Sequence, residues 1–492
     1  METMGPWTLL LTTLTIVLSI SHATSESSNK KFLSCLSSHS KTSNIPISGA
    51  IYIPHNTSFL SILNMRIRNN RYKTARTPKP LAIITALHEN HIQQAVTCAR
   101  SNGIQIRIRS GGHDYEGLSY VSDVPFVILD MFHLNAVNVN IGDETAWVQA
   151  GATLGNLYYN IAKKSRVLAF PAGVSIYLGA GGHFSGGGYG NLMRKYGLSV
   201  DNIIDAKLVD VNGKILDRKS MGEDLFWAIK GGGGASFGVI LSWKIKLVPV
   251  TPEVTVFNVK KTVEEGATDV VYKWQQVASK LHEDLFIRAM VQVVDGKVGK
   301  KTVLLSFIGQ FLGPIDKLLP LVNKSFPELG LQKSDCTQMP WVNSTLFWIN
   351  KPIGTPLETL LGISKELPSS YFKSKSDYVK NPIPKEVMQS IWQWMIKGES
   401  VWMQWNPYGG KMEKISPFET PFPHRAGNLF LIQYSTFWTD AKATDHYMNF
   451  SRSFYEFMTP FVSKSPREAF LNYRDLDIGA NHPSNATSIV TA

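Results

Sequence analysis

Cysteine is scarce in this chain, with three in 492 residues, at positions 35, 98 and 336. That count excludes a disulfide-dense scaffold and allows one bridge and one free thiol. No Cys/His spacing resembles a zinc site, so no metal is expected. Acidic residues are outnumbered, 38 against 50 Lys and Arg, which leaves a formal charge of +12. The excess is spread along the chain, with no dense basic run interleaved with aromatics. A generally basic surface accounts for it, and no nucleic-acid partner is expected. Long apolar runs are missing apart from Trp7 to Ile20, which is too short to span a bilayer. It runs into Ser21, His22 and Ala23 and reads as a secretory signal peptide over residues 1–23, although no Lys or Arg precedes it. The mature protein is expected to be soluble, with no membrane span, and to travel the secretory pathway to the apoplast or vacuole.

Hydrophobic residues make up 43% and charged residues 18%, enough for a sizeable core. Asn-x-Ser/Thr sequons at Asn56, Asn323, Asn343, Asn449 and Asn485 each call for an exposed position. Cys35 and Cys98 share the N-terminal region and are expected to pair, leaving Cys336 as a buried small hydrophobe. From about Lys79 to Leu247, short β-rich runs (Leu81 to Ile84, Gln105 to Ile108, Phe126 to Leu129, Ala146 to Ala150) alternate with helical stretches such as His91 to Ser101. Composition shifts near Pro249–Pro252. The segment beyond is richer in Trp, Met and Phe, with strand-like Val303 to Ile308 and Leu429 to Tyr434, and Thr251 to Thr262 reads as an antiparallel strand with one wet face.

Four glycine clusters stand out, at 111–112, 179–182, 186–190 and 231–234. Glycine lets backbone N–H groups approach a ligand closely, so such loops suit a pyrophosphate. No Gly-x-x-x-x-Gly-Lys-Ser/Thr occurs, and both Gly179–Phe184 and Gly231–Ser236 lack the last glycine of Gly-x-Gly-x-x-Gly. P-loop chemistry and a nicotinamide-type Rossmann unit are therefore disfavoured. A large nucleotide held by several separate glycine loops fits the pattern.

The run Arg109-Ser110-Gly111-Gly112-His113-Asp114-Tyr115-Glu116-Gly117 resembles the flavin-attachment motif of plant berberine-bridge-enzyme-like proteins, flavoproteins of the vanillyl-alcohol-oxidase type. The resemblance continues through Phe170–Gly173, Gly181–Gly190, Asp224–Ala228 and Asn472-Tyr473-Arg474-Asp475. Closeness to cannabinoid oxidocyclases is suggested by Asn323–Gly330 and Phe422–Gly427. It implies an α+β, bi-modular fold: an FAD-binding domain over 24–250, a substrate domain with an antiparallel sheet and helices over 251–455, and a shortened C-terminal return over 456–492. It further implies FAD bonded covalently to His113 and contacted by Arg109, Ser110, Gly111, Gly112, Asp114, Ser119, Ser175, Gly179, Gly181, Gly182, Gly188, Tyr189, Ile240 and Asn472. His183 reads equally as a flavin contact or as a packed structural histidine.

Many relatives attach the flavin a second time, through a cysteine. Here that position is Ser175, whose hydroxyl cannot form the thioether, so a single link is expected. Leu178 stands where relatives gate oxygen, and a leucine there resembles members that react poorly with it; molecular oxygen is a candidate second substrate. Tyr473 matches the catalytic base, and Arg474 is expected to be structural, paired with Asp475 or Asp477. Arg288, Met290, Gln404, Asn406, Gln433 and Phe437 are the substrate-cavity candidates. The implied activity is FAD-dependent oxidation or oxidative cyclisation of a prenylated phenolic specialised metabolite. Two alternatives stand beside it: an FAD-containing Diels–Alderase performing [4+2] cycloaddition without net redox, and a non-catalytic flavin- or ligand-binding protein.

Overall fold

The computed structural model describes residues 28–40, 45–362, 369–398 and 400–479. The signal peptide over 1–23 and the sequon at Asn485 lie outside the described residues.

Strand Phe126–Asp130 is buried along its whole length, which suits its unbroken Phe-Val-Ile-Leu run. It lies parallel to Ile83–Thr85 on one side and Gln105–Arg109 on the other, in a four-stranded sheet closed by Ile51–Tyr52. Helix Glu89–Ser101 links two of these strands and starts where the His88 ring accepts the Asn90 N–H. It buries Ile92, Ala95, Val96 and Ala99. Cys98 on the same helix is bonded to Cys35 on the helix over 28–40, with Cα atoms 5.8 Å apart.

A second, five-stranded antiparallel sheet has Val239–Lys246 at its centre, flanked by Thr145–Gln149 and Ile203–Val209. The third sheet has seven antiparallel strands in the order Cys336–Met339, Val254–Thr262, Lys301–Phe311, Leu285–Asp295, Val401–Pro407, Phe430–Trp438 and Tyr371–Val379. Side chains alternate between its two faces. One face buries Ile287, Met403, Trp405 and Phe430 in a core with helices Ala267–Val277, Lys385–Gly398 and Thr444–Met458. The other face carries Arg288, Gln404, Gln433, Ser374 and Ser435, with Gln404 opposite Gln433 and Ser374 opposite Ser435.

Two sequence expectations are corrected here. Val254, Thr255, Val256 and Phe257 are all buried, so the strand Val254–Thr262 has no wet face until Lys260. The cause is its position between two strands, with core packed over both sides. Cys336 opens the edge strand Cys336–Met339 and is half-buried, because no further strand covers it. Of the described sequons, Asn56, Asn323 and Asn449 are exposed, while Asn343 is half-buried on helix Trp341–Phe347.

Two buried arginines rivet the seven-stranded sheet to the elements before it. The Arg194 guanidinium donates to the backbone carbonyls of Ser279, Leu281, His282, Leu285 and Tyr408. Arg425 grips both carboxylate oxygens of Asp201, at 2.7 and 2.8 Å. Bidentate pairing of this kind fixes orientation as well as proximity.

Candidate active site

Between the polar face of the seven-stranded sheet and the glycine loops lies a cavity of about 860 Å³. It stands at the large end of the roughly 300–1,000 Å³ usual for ligand sites. The loop after strand Gln105–Arg109 contributes Ser110, Gly111, Gly112, His113, Asp114, Tyr115 and Ser119. The segment 173–189 adds Ser175, Leu178, Gly179, Gly181, Gly182, His183 and Tyr189, and Ile240 comes from the centre of the five-stranded sheet. From the seven-stranded sheet come Arg288, Phe372, Ser374, Trp402, Gln404, Gln433, Ser435 and Phe437, and from the C-terminal segment Asn472, Tyr473 and Arg474.

Two glycine loops meet backbone to backbone at this wall. A Cβ on Gly111 would stand 2.5 Å from the Gly179 nitrogen, and one on Gly179 would stand 2.2 Å from the Ser110 hydroxyl. A Cβ on Gly182 would meet nothing within 4 Å, so this cavity-lining glycine leaves open space for a ligand.

His113 is half-buried, and its own Nε2 atom is buried with no hydrogen-bond partner, while the Tyr177 backbone bonds to the ring. Burial of the ring, then Arg68 and Arg66, bring its pKa down to about 3, so the imidazole is neutral and its Nε2 is unpartnered. His183 is different. Its Nε2 accepts the Gly173 N–H at 2.9 Å, and burial likewise brings it down to about 3. A neutral acceptor with its lone pair occupied is a packed structural histidine that also forms cavity wall.

Three tyrosines converge opposite. The Tyr473 and Tyr189 hydroxyls are hydrogen-bonded, and Tyr189 Oη also accepts from Gln404 Nε2 at 2.9 Å and Asn406 Nδ2 at 3.0 Å. Arg288 Nε donates to Asn406 Oδ1 at 2.6 Å, which turns the Asn406 amide nitrogen towards Tyr189. Tyr115 receives Gln433 Nε2 at 2.8 Å. Burial, then neighbouring Tyr189 and Tyr115, push the Tyr473 phenol well above its ordinary range, with Arg288 opposing. Tyr189 is also raised by burial, again opposed by Arg288. Burial keeps both phenols protonated at neutral pH; when the pair does lose a proton, a phenolate on Tyr189 receives three donors, so the charge settles there and Tyr473 keeps the remaining proton.

Several expected residues lie elsewhere. Arg109 is buried against Asp130 at 2.7 Å and against the carbonyls of Ile62 and Leu63, so it supports the loop from behind. Gly188 has φ +71° and forms a turn against Ser199. Met290 shares the face of Arg288, in register with Gln404, but does not line the cavity. Asn406 touches Tyr189 without lining the cavity. Arg474 pairs with neither aspartate: Asp475 binds Lys373 and Lys375, while Asp477 binds those lysines and Arg452. Arg474 is among the residues that line the cavity. Tyr115, Phe372, Ser374, Trp402 and Ser435 were missed. Tyr115 stands two residues past His113, and period-two alternation from Gln404 and Gln433 points to Trp402 and Ser435.

The FAD-binding domain family matches residues 80–218. Berberine bridge enzyme-like 4 of Arabidopsis thaliana is 56% identical over 462 residues, covering 93% of this chain and 87% of the relative. The chain belongs to the berberine bridge enzyme-like family. The structure of berberine bridge enzyme from Eschscholzia californica is 38% identical with a TM-score of 0.86, over 93% of this chain and 90% of that one. The grass pollen allergen Phl p 4, a glucose dehydrogenase, is 44% identical with a TM-score of 0.86, over 92% and 89%. An isoleucine-to-valine variant of that allergen is a glucose oxidase. Membership makes this chain an FAD-dependent oxidoreductase family member, and the site fits the cofactor: glycine loops with open space at Gly182, and an orphaned imidazole nitrogen at His113. Among the described residues no helix is long and apolar enough to cross a membrane.

Proposed function

We propose that this member oxidises a hydroxylated aromatic substrate, with the Tyr189–Tyr473 pair as the proton acceptor. FAD, when bound, supplies the hydride acceptor. His113 would hold it by one covalent bond, for which the unpartnered Nε2 marks a free imidazole at the wall, and the glycine loops at 111–112 and 179–182 would pass its pyrophosphate. Ser175 offers no thiolate, so no second link forms.

The single observation that carries the reading is the convergence of donors on Tyr189. A substrate hydroxyl placed at Tyr473 gives its proton to the Tyr473 oxygen, and Tyr473 hands its own proton to Tyr189, whose negative charge Gln404 and Asn406 had stabilised. Loss of that proton strengthens hydride departure from the adjoining carbon. The rings of Trp402 and Phe437, stacked 6.2 Å apart, and of Phe372 provide a flat apolar wall, while Gln433, Ser374 and Ser435 offer hydrogen bonds beside it. The amides and hydroxyls support a hydroxyl-bearing aromatic, and the aromatic wall would accommodate a prenyl group on it.

Leu178 lines the cavity beside Gly173 and His183. Because an isoleucine-to-valine change separates dehydrogenase from oxidase in Phl p 4, we assign this chain to the dehydrogenase side. The Cys35–Cys98 bond fits an oxidising compartment, which supports a secretory route with glycans at the exposed Asn56, Asn323 and Asn449.

Anaerobic mixing with a panel of aromatic alcohols and prenylated phenols, followed in the flavin spectrum, tests the reading. Bleaching is expected. Product formation without bleaching would replace it with the non-redox [4+2] cyclase.

A further inference from the structure

Among the described residues five arginines are buried, and four of them are compensated. Arg66 and Arg109 share Asp130, Arg425 has Asp201, and Arg194 has five backbone carbonyls. Arg288 is the exception. It is 4% exposed, and among the described residues it makes no ion pair; its one hydrogen bond runs from Nε to the neutral Asn406 amide. Phe286 and Trp348 lie 5.7 and 5.2 Å from its guanidinium carbon, which helps a weakly hydrated cation but supplies no counter-charge. A guanidinium carries five N–H donors, so most of this fork is left for a ligand. Burying an uncompensated charge is strongly unfavourable, and such groups are kept paired or hydrogen-bonded. Arg288 lines the same cavity as the tyrosine pair and the aromatic wall.

We infer that Arg288 is the receptor for a carboxylate on the substrate, making the natural ligand an anionic, hydroxylated aromatic rather than a neutral one. This rests on the reading of the cavity as the substrate site. The planar fork matches a carboxylate with two parallel hydrogen bonds. Gln404, one strand away and in register with Met290, would meet the substrate between that anchor and Tyr189. No carboxylate side chain on the neighbouring strands competes for the fork.

The test uses the flavin-loaded protein and two planar probes, 4-hydroxycinnamate and its methyl ester, titrated at neutral pH by perturbation of the flavin spectrum. The acid is expected to bind roughly ten- to a hundredfold more tightly than the ester, as a charge-assisted pair in a buried site provides. Arg288→Met should erase that preference by weakening the acid alone, and Arg288→Lys, which keeps the charge and loses the fork, should fall between. Retained flavin absorbance shows that each variant is folded. Equal binding of acid and ester by the wild type overturns the inference without any variant. A preference that survives in Arg288→Met also overturns it, and so does an equal loss for both probes, which would assign Arg288 to the tyrosines alone. Absence of flavin bleaching with every substrate would defeat the redox reading while leaving this binding comparison intact.

Discussion

Tyr115 and Tyr473 lie face to face, with ring centroids 5.5 Å apart and planes 10° from parallel. One belongs to the loop that carries His113, the other to the C-terminal segment, 358 positions later in the chain (473 − 115). The same two segments meet again behind the cavity. Lys373 on strand Tyr371–Val379 binds Glu116, next to Tyr115, and Asp475, two residues past Tyr473. The His113 loop and the Tyr473 segment are therefore tied to a single strand.

Lys373→Met should be severely destabilising. Lys373, Glu116 and Asp475 are each 2–3% exposed at the side chain, so removing the ammonium leaves Glu116, among the described residues, with only Arg71 at 3.5 Å and the Tyr72 hydroxyl, and Asp475 with Lys375 as its remaining cation. Breaking one side of such a cluster typically costs about 3–5 kcal/mol. Urea unfolding is the measurement, and a loss under about 1 kcal/mol would show that Lys375 alone holds Asp475. The cluster also sets an acid limit. Burial disfavours a charged Asp477, but Arg452, Lys375 and Lys373 outweigh it and hold the carboxyl below its ordinary range. A group depressed in the folded state contributes stability above its unfolded pKa and loses it as pH falls, so this contribution should start to decline below about pH 4 and vanish only once pH passes the lower folded-state value.

The tyrosine pair predicts both a mutational and a pH signature. Tyr473→Phe and Tyr189→Phe should each slow flavin reduction by about 10²- to 10⁴-fold, the usual worth of a positioned proton acceptor. Burial raises both phenols, so the ionised pair is a minority at neutral pH and the rate should climb as pH rises. Removing the cation with Arg288→Met should move that climb to higher pH. A flat profile from pH 6 to 9 together with full activity in Tyr473→Phe would take proton transfer away from this pair.

Much of the fold was legible because its signals are local. The helix Glu89–Ser101 follows from apolar spacing, and the strand Phe126–Asp130 from a continuous apolar run. His113 was legible for the same reason, since its neighbours in sequence are also its neighbours in the wall. What escaped depends on contacts made far along the chain. Arg474 stands beside two aspartates in sequence, yet lysines from strand Tyr371–Val379 take both. Met290 shares a face with Arg288, but alternation does not say where along a strand the cavity ends. Cys336 reads as a buried small hydrophobe from its residue type alone, and only the strand order reveals an edge. Tyr189 reads as one more residue of a glycine-rich cofactor loop until the sheet brings Gln404 and Asn406 against it.

Replacing His113 separates covalent attachment from cofactor fit. The glycine loops and Asn472, which donates to the His183 carbonyl at 2.8 Å, remain in His113→Ala, so the fold should survive. Denatured wild type is expected to keep its yellow colour after precipitation, and denatured His113→Ala should release all of its flavin. The intact mass of the wild type should correspond to one FAD, with the modified peptide containing His113 and not Ser175. Free FAD from the denatured wild type would refute the bond.

Leu178→Val should speed reoxidation of the reduced flavin by oxygen. Leu178 is half-buried at the cavity wall, and its Cδ1 would lie 3.3 Å from a Cβ placed on Gly173. Two branches of the chain are thus in near contact at a point where Gly173 leaves no side chain of its own. Valine withdraws one methylene from that contact, and at a close-packed point a change of that size opens real space. Removing one buried methylene also forfeits about 0.8 kcal/mol of apolar burial, small enough for the variant to fold normally. Oxygen is a small apolar molecule and needs little more than such a gap, so the effect should fall on reoxidation, with anaerobic flavin reduction by substrate nearly unchanged. Stopped-flow measurement of the two half-reactions separates these outcomes. If reoxidation is unaltered while reduction slows, Leu178 contacts the substrate and does not gate oxygen.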